Sequence, residues 1–155
     1  MDVIQDGLAG FLERHRRVGL DTSVFIYQIE GTPRYREVVH GIFVWLQGPH
    51  ARALTSTITM LELLVAPYRA ADLHRVNRFY ALLSTYPHLE WVVPTLEIAD
   101  CAARLRAEHK LRTPDAIQAA TALVEKAGGL ISNDAHLKKV GGLDLLLVDE
   151  LLAST

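Results

Sequence analysis

Apolar positions along this chain fall into two alternating rhythms, and the alternation predicts the architecture. Over residues 2–15, Val3, Ile4, Leu8, Phe11 and Leu12 share one face of a helix. This amphipathic segment is expected to lie on the domain or on a partner. "RVGL" then reads as a short buried strand that ends at Asp21. Helical spacing returns in "TSVFIYQIE" and in "PRYREVVHGIFVWLQ", the second started by Pro33 and stopped near Gly48 and Pro49. "RALTST" has strand character, whereas "TMLELLVAPY" and "ADLHRVNRFYALLSTY" are helical. A strand at "LEWVV" follows, then helices at "TLEIADCAARLRAEHK" and "PDAIQAATALVEKAG". Apolar runs of strand length, "GLIS" and "LDLLLV", close the series.

Strands separated by helices predict an α/β fold: a central, mainly parallel sheet with helices on both faces, three layers in all. Ligands in such sheets gather beyond the carboxyl ends of the strands. Four acids occupy such junctions. Asp21 follows "VGL", Glu62 lies in the helix after "RALTST", Asp115 opens the "PDAIQAATAL" helix, and Asp134 follows "LIS". Each has a purely structural explanation. Asp21 can cap the helix beginning near Ser23, and Thr59 to Glu62 reads as a capping box. Thr113-Pro114-Asp115 reads as a cap, a first-turn proline and an acid favoured by the helix dipole, and "SND" is turn chemistry.

Taken together, the four acids point elsewhere. Two carboxylates ~5 Å apart repel by about 3 kcal/mol at an effective dielectric near 20. Four at one sheet end call for a cation between them or for protonation. A hard divalent ion, Mg²⁺ or Mn²⁺, suits an all-oxygen donor set, and such ions support phosphodiester hydrolysis.

Composition narrows the alternatives. The 155 residues suit one domain, half of them are hydrophobic and 22% are charged, as in an ordinary globular protein. No apolar run reaches the ~20 residues of a membrane-spanning helix. The first residues carry acids before basic residues, the reverse of a secretory signal, so a cytoplasmic location is expected. The single cysteine, Cys101, reads as a small helical core residue, and the seven histidines show no zinc-binding spacing.

The segments "LDTSVFIYQIEG", "TSTITMLELL", "LRTPDAIQAATAL" and "LISNDAHLKKV", in this order, closely resemble the PIN-domain ribonucleases, and among them the VapC toxins of bacterial toxin–antitoxin pairs. The resemblance runs from about Val18 to the end. It divides the chain into an N-terminal helical extension, residues 1–17, and a PIN domain, residues 18–155. It implies a three-layer α/β/α fold and Mg²⁺-dependent endoribonuclease activity, with Mn²⁺ as a substitute. By position, it makes Asp21 and Asp115 the principal metal ligands and Glu62 a ligand or a group orienting the attacking water. Asp134 completes the quartet, directly or through water. Ser23 would hydrogen-bond a metal-bound water or a carboxylate, and Thr113 would position Asp115 through the helix cap. Where the family often continues its last motif with an acid and an aromatic residue, this chain has His136 and Leu137, leaving Asp134 as the available carboxylate.

Net charge is −2, but setting aside the four acids leaves 16 basic against 14 acidic residues. Among the basic residues, Arg112 and the Lys138–Lys139 pair flank the proposed acids and are the better candidates for phosphate contacts. The resemblance also implies a small antitoxin partner whose basic residue enters the acidic pocket, and a homodimer. The stripe Val38, Val39, Ile42, Phe43 and Leu46 reads mostly as core, with Trp45 as the interface candidate. Two rival functions share these residues: an RNA-processing nuclease with no toxin role, and a catalytically silent module that binds RNA or protein. A phosphatase using Asp21 as nucleophile ranks low, since Ser23 stands where a second acid belongs.

Overall fold

The computed structural model describes residues 2–154. Met1 and Thr155, the outer ends of the expected extension and domain, lie outside them. Five strands, β1 (Val18–Leu20), β2 (Ala53–Ser56), β3 (Leu89–Val92), β4 (Gly129–Ser132) and β5 (Asp144–Leu147), form one sheet in the order β3-β2-β1-β4-β5. Every pairing is parallel. Each residue of β1, β2 and β4 is buried, whereas β3 and β5, at the edges, are covered only in part. The central strands thus show no position turned to solvent, as a parallel sheet covered on both faces requires.

Eight α-helices cover the sheet among the described residues: α1 (Val3–Arg14), α2 (Thr22–Glu30), α3 (Arg36–Leu46), α4 (Ile58–Arg69), α5 (Leu73–Ser84), α6 (Leu96–His109), α7 (Thr113–Val124) and α8 (Val148–Ala153). One core layer joins Leu8 and Phe11 of α1 to Phe25 of α2, Ile42 and Leu46 of α3, and Leu83 of α5. The other is built on α6 and α7, where Ile98, Ala116, Ala119 and Ala120 meet Leu54 and Leu130 of the sheet. Small residues on α7 let it lie close. A side chain at Gly19 of β1 would stand 3.4 Å from the Ala122 methyl. The result is the three-layer α/β/α arrangement.

Three local expectations need correction. "PRYREVVHGIFVWLQ" is not one helix: Pro33–Tyr35 forms a separate 3-10 turn before α3. The capping box at Thr59–Glu62 does not form. The N-cap of α4 is Thr57, two residues before Thr59, and the Thr59 hydroxyl is buried among other side chains. At α7, Arg112 occupies the N-cap position and Thr113 is already helical, so Thr113 makes no capping bond to set Asp115. Thr57 donates its backbone N–H to the Val92 carbonyl across the sheet, which fixes where α4 can start.

Helix α1 buries Ile4, Leu8, Phe11 and Leu12 against α3 and α8. It crosses α3 at Gly41, where an added Cβ would sit 2.8 Å from the Leu8 side chain. Arg14 and His15 at its far end pair with Asp144 of β5, at 3.2 and 2.7 Å. Trp45 of α3 is half-buried and, with Val44, lines an apolar groove of about 590 Å³ between α1 and α3. Among the described residues no helix is long and apolar enough to cross a membrane.

The sheet order reverses at β1. From there the chain runs outward through β2 and β3, then returns to place β4 on the opposite side. The carboxyl ends of β1 and β4 therefore flank a topological switch point, where α/β sheets open a crevice.

Candidate active site

Asp21 and Asp134 emerge at that crevice from β1 and β4, and α4 and α7 bring in Glu62 and Asp115. All four line one cleft of about 200 Å³, together with Thr22, Ser23, Tyr27, Asn133 and Arg112. The larger groove between α1 and α3 holds none of the four acids.

Asp21 is 7% exposed. It caps α2, accepting from the Ser23 backbone N–H at 3.3 Å, and it also accepts from the Ser132 hydroxyl at 2.5 Å. Burial nevertheless pushes its carboxyl above the usual range, with Glu62 adding repulsion. The structural and the chemical readings of Asp21 are thus compatible: the cap leaves the group short of counter-charge. Asp115 is pushed up to about 6, mainly by burial, with a further upward push from Asp134 and a partial offset from Arg112. Arg112 Nε donates to Asp115 Oδ2 at 2.9 Å. Burial also opposes ionisation of Asp134, but donors outweigh it. The His136 N–H at 3.0 Å and the His136 ring nitrogen at 2.9 Å hold this carboxyl below the usual range, helped by Asp115. The two aspartates therefore titrate as a pair, with Asp115 the later of the two to ionise as pH rises.

The remaining predicted residues separate into those the cleft includes and those it does not. Ser23 lines it, and its Oγ is the one buried side-chain oxygen or nitrogen among the described residues with no hydrogen-bond partner. Lys138 is exposed and pairs with Glu150 of α8; neither Lys138 nor Lys139 lines the cleft. Cys101 is only half-buried on α6.

Residues that sequence reasoning passed over complete the walls. Ser132 links two acids, donating to Asp21 while its Oγ accepts from the Asp134 N–H at 3.1 Å. Asn133 donates to the Tyr27 hydroxyl at 3.0 Å and to Asp149 at 3.1 Å, and its Oδ1 accepts from the Asp149 N–H at 2.8 Å. Glu62 accepts from the Thr22 hydroxyl at 2.8 Å. A signal was available for some of these. Ser132 ends a fully buried strand, and Gln118 stands one helical turn after Asp115 among alanines, so both need buried partners.

A family model described as the PIN domain matches residues 18–143. The chain belongs to the PIN-domain family. Solved structures with the same PIN fold include a toxin–antitoxin complex from Klebsiella pneumoniae, 23% identical, covering 82% of this chain and 95% of that one, with a TM-score of 0.62. VapBC-1 from nontypeable Haemophilus influenzae is 20% identical over 86% of this chain and 98% of that one, TM-score 0.65. VapBC2 from Rickettsia felis, bound to a DNA fragment from its promoter, is 18% identical over 84% and 98%, TM-score 0.67. No curated protein sequence matches this chain significantly. The PIN match contains all four acids and begins at β1, so helix α1 lies outside it, as does α8.

Whether the PIN cleft suits a cation is decided by its donors. Among the described residues no three His, Cys, Asp or Glu side chains converge into a tight ligand cluster. The four acids line the cleft from four separate chain segments, so an ion held there would keep part of its hydration shell, as Mg²⁺ does. The unpartnered Ser23 hydroxyl and the raised carboxyls of Asp21 and Asp115 fit the same occupant.

Proposed function

We propose that this PIN-domain protein is a Mg²⁺-dependent endoribonuclease that serves as the toxin of a toxin–antitoxin pair. The observation that carries the reading is the gathering of Asp21, Glu62, Asp115 and Asp134 at one cleft, with Asp21 buried without a cationic partner and burial outweighing Arg112 at Asp115. Asp21 and Asp115 would hold Mg²⁺ or Mn²⁺, with Asp134 completing the set directly or through water. Bound there, the ion supplies Lewis acidity, acidifying water and offsetting charge on the phosphodiester. Glu62 would join that set through one oxygen and orient the attacking water. The Ser23 hydroxyl engages the ion's hydration, and Arg112 contacts phosphate at the cleft mouth, a contact that carries no sequence information. Such a narrow cleft suits single-stranded RNA or a loop over a duplex.

The toxin role is supported by solved structures of the same fold, one a toxin–antitoxin complex and another a member of the VapBC family of toxin–antitoxin systems. A small antitoxin offering a basic residue to the acid cleft is the partner this reading requires. The Arg112–Asp115 pair favours one rival, a silent RNA-binding module in which arginine stands where a cation would.

Incubating a labelled single-stranded RNA pool with the purified protein separates the two. Endonucleolytic cleavage with Mg²⁺ that stops in EDTA supports the nuclease; binding without cleavage supports the module. For the toxin role, expression of the chain should halt growth, and co-expression of a small protein encoded beside it should restore growth. Normal growth with active nuclease would leave an RNA-processing enzyme.

A further inference from the structure

Behind the acid cleft, Thr22, Thr55, Thr59 and Gln118 form a buried polar line, each at most 4% exposed. The donor and acceptor inventory assigns every proton in it. The Ser56 backbone N–H can only donate, so the Gln118 atom 3.3 Å from it is the carbonyl Oε1. The Gln118 amide NH₂ therefore faces Thr59 Oγ1 at 2.7 Å and Thr22 Oγ1 at 3.4 Å. At the other end, Thr55 spends its one hydroxyl proton on the Leu20 carbonyl at 2.7 Å. Thr59 must then be the donor in the 2.7 Å Thr55–Thr59 contact. With that proton spent, Thr59 can only accept from Gln118. Thr22 accepts from the same amide and keeps its own proton, which goes to the carboxylate oxygen Glu62 Oε1 at 2.8 Å rather than to the Thr59 hydroxyl at 3.2 Å.

The line has one direction. Turning the Gln118 amide over would set its NH₂ against the Ser56 N–H and leave Thr59 without a donor. Unmet buried polar groups cost about 1–3 kcal/mol each, which holds the orientation. Among the described residues no donor meets Glu62 Oε2.

We infer that Gln118 is a positioning residue for Glu62: acting through the Thr22 hydroxyl, it anchors Oε1 and leaves Oε2 as the oxygen offered to the cleft. Nothing in the family match assigns a role to Gln118 or Thr22. The inference rests on the reading of the cleft as a cation site, and the test keeps the two apart.

The experiment is calorimetric titration of the full chain with MgCl₂, alongside a thermal melt of each protein. Thr22→Val keeps the shape and removes the hydroxyl; Thr22→Ser keeps the hydroxyl. Thr22→Val is expected to lose about tenfold in Mg²⁺ affinity, in line with other groups that orient metal ligands. Thr22→Ser should stay within about threefold of wild type. In a Glu62→Gln background, Thr22→Val should cause no further loss, because its effect passes through that carboxylate. A purely structural role would weaken binding equally in both backgrounds. Where Thr22→Val melts near the assay temperature, Gln118→Met, which cuts the same line one bond earlier, replaces it.

Wild-type affinity in Thr22→Val, or the same loss with and without the Glu62 carboxylate, overturns the positioning role while leaving the cation site standing. No Mg²⁺ binding by the wild type overturns the cation site and this inference with it.

Discussion

A carboxyl buried without a full counter-charge leaves a mark on stability, and Asp115 carries the clearest one. Its pKa rises from an ordinary 3.8 to about 6. For a group raised on folding, the stabilising contribution is complete below the unfolded value and disappears as pH climbs through the folded one. Asp21 moves in the same direction, whereas Asp134, held low, loses its contribution only in stronger acid. In EDTA, the melting temperature of wild type should therefore fall between pH 5 and pH 8 by about 2–4 °C more than that of Asp115→Asn. Parallel pH profiles for the two proteins would contradict the shift. The basic residues make a separate prediction. Arg112 sits in the cleft, whereas Lys138 is tied to Glu150 away from it. Arg112→Ala should weaken RNA binding several-fold and lower its salt dependence by about one counterion, with Lys138→Ala near wild type. Equal effects in filter-binding titrations would remove Arg112 from the proposed interface. Asp21, Asp115 and Asp134 were legible because each stands at a break in periodicity, and Glu62 because its helix directly follows a strand. For Ser132 and Gln118 the sequence signalled only a need for buried partners, and for Thr22 not even that, because the partners are contributed by other elements and only folding brings them together.

At the scale of elements, the apolar rhythm located the strands and most helices, and its errors have a common cause. Propensity and capping preferences describe an isolated helix, but α4 begins where β2 lets it: Thr57 is already bound to Val92, and Thr59 serves the buried polar line instead of a cap. The same override moves the α7 cap from Thr113 to Arg112. The switch-point placement of Asp21 and Asp134 depends on β4 returning beside β1, a pairing that short apolar runs do not encode by themselves. Helix α1 shows the opposite case, since its spacing alone predicts the buried face that folds against α3 and α8. Phe11, 2% exposed, lies at the centre of that face and against His15. Phe11→Ala should cost about 3–5 kcal/mol in urea unfolding. A loss below about 1 kcal/mol would show that α1 is an appendage and not part of the core.

For the whole molecule, the fold supplies position and the residues supply chemistry. A parallel sheet whose order reverses at β1 opens a crevice, and four chain segments far apart in sequence each deliver one carboxylate to it. PIN membership accounts for this frame from Val18 to Leu143, while α1 and α8 clasp one face from outside the matched region. The central claim is that this frame exists to hold a divalent cation against RNA. It is tested most directly by the rate of Mg²⁺-dependent cleavage of single-stranded RNA by Asp21→Asn, beside wild type, with both shown folded by thermal melting. A loss of about a hundredfold or more in a variant that melts at or above the wild-type temperature is the predicted result. A folded Asp21→Asn that cleaves at the wild-type rate, or wild-type cleavage that persists in EDTA, would contradict it.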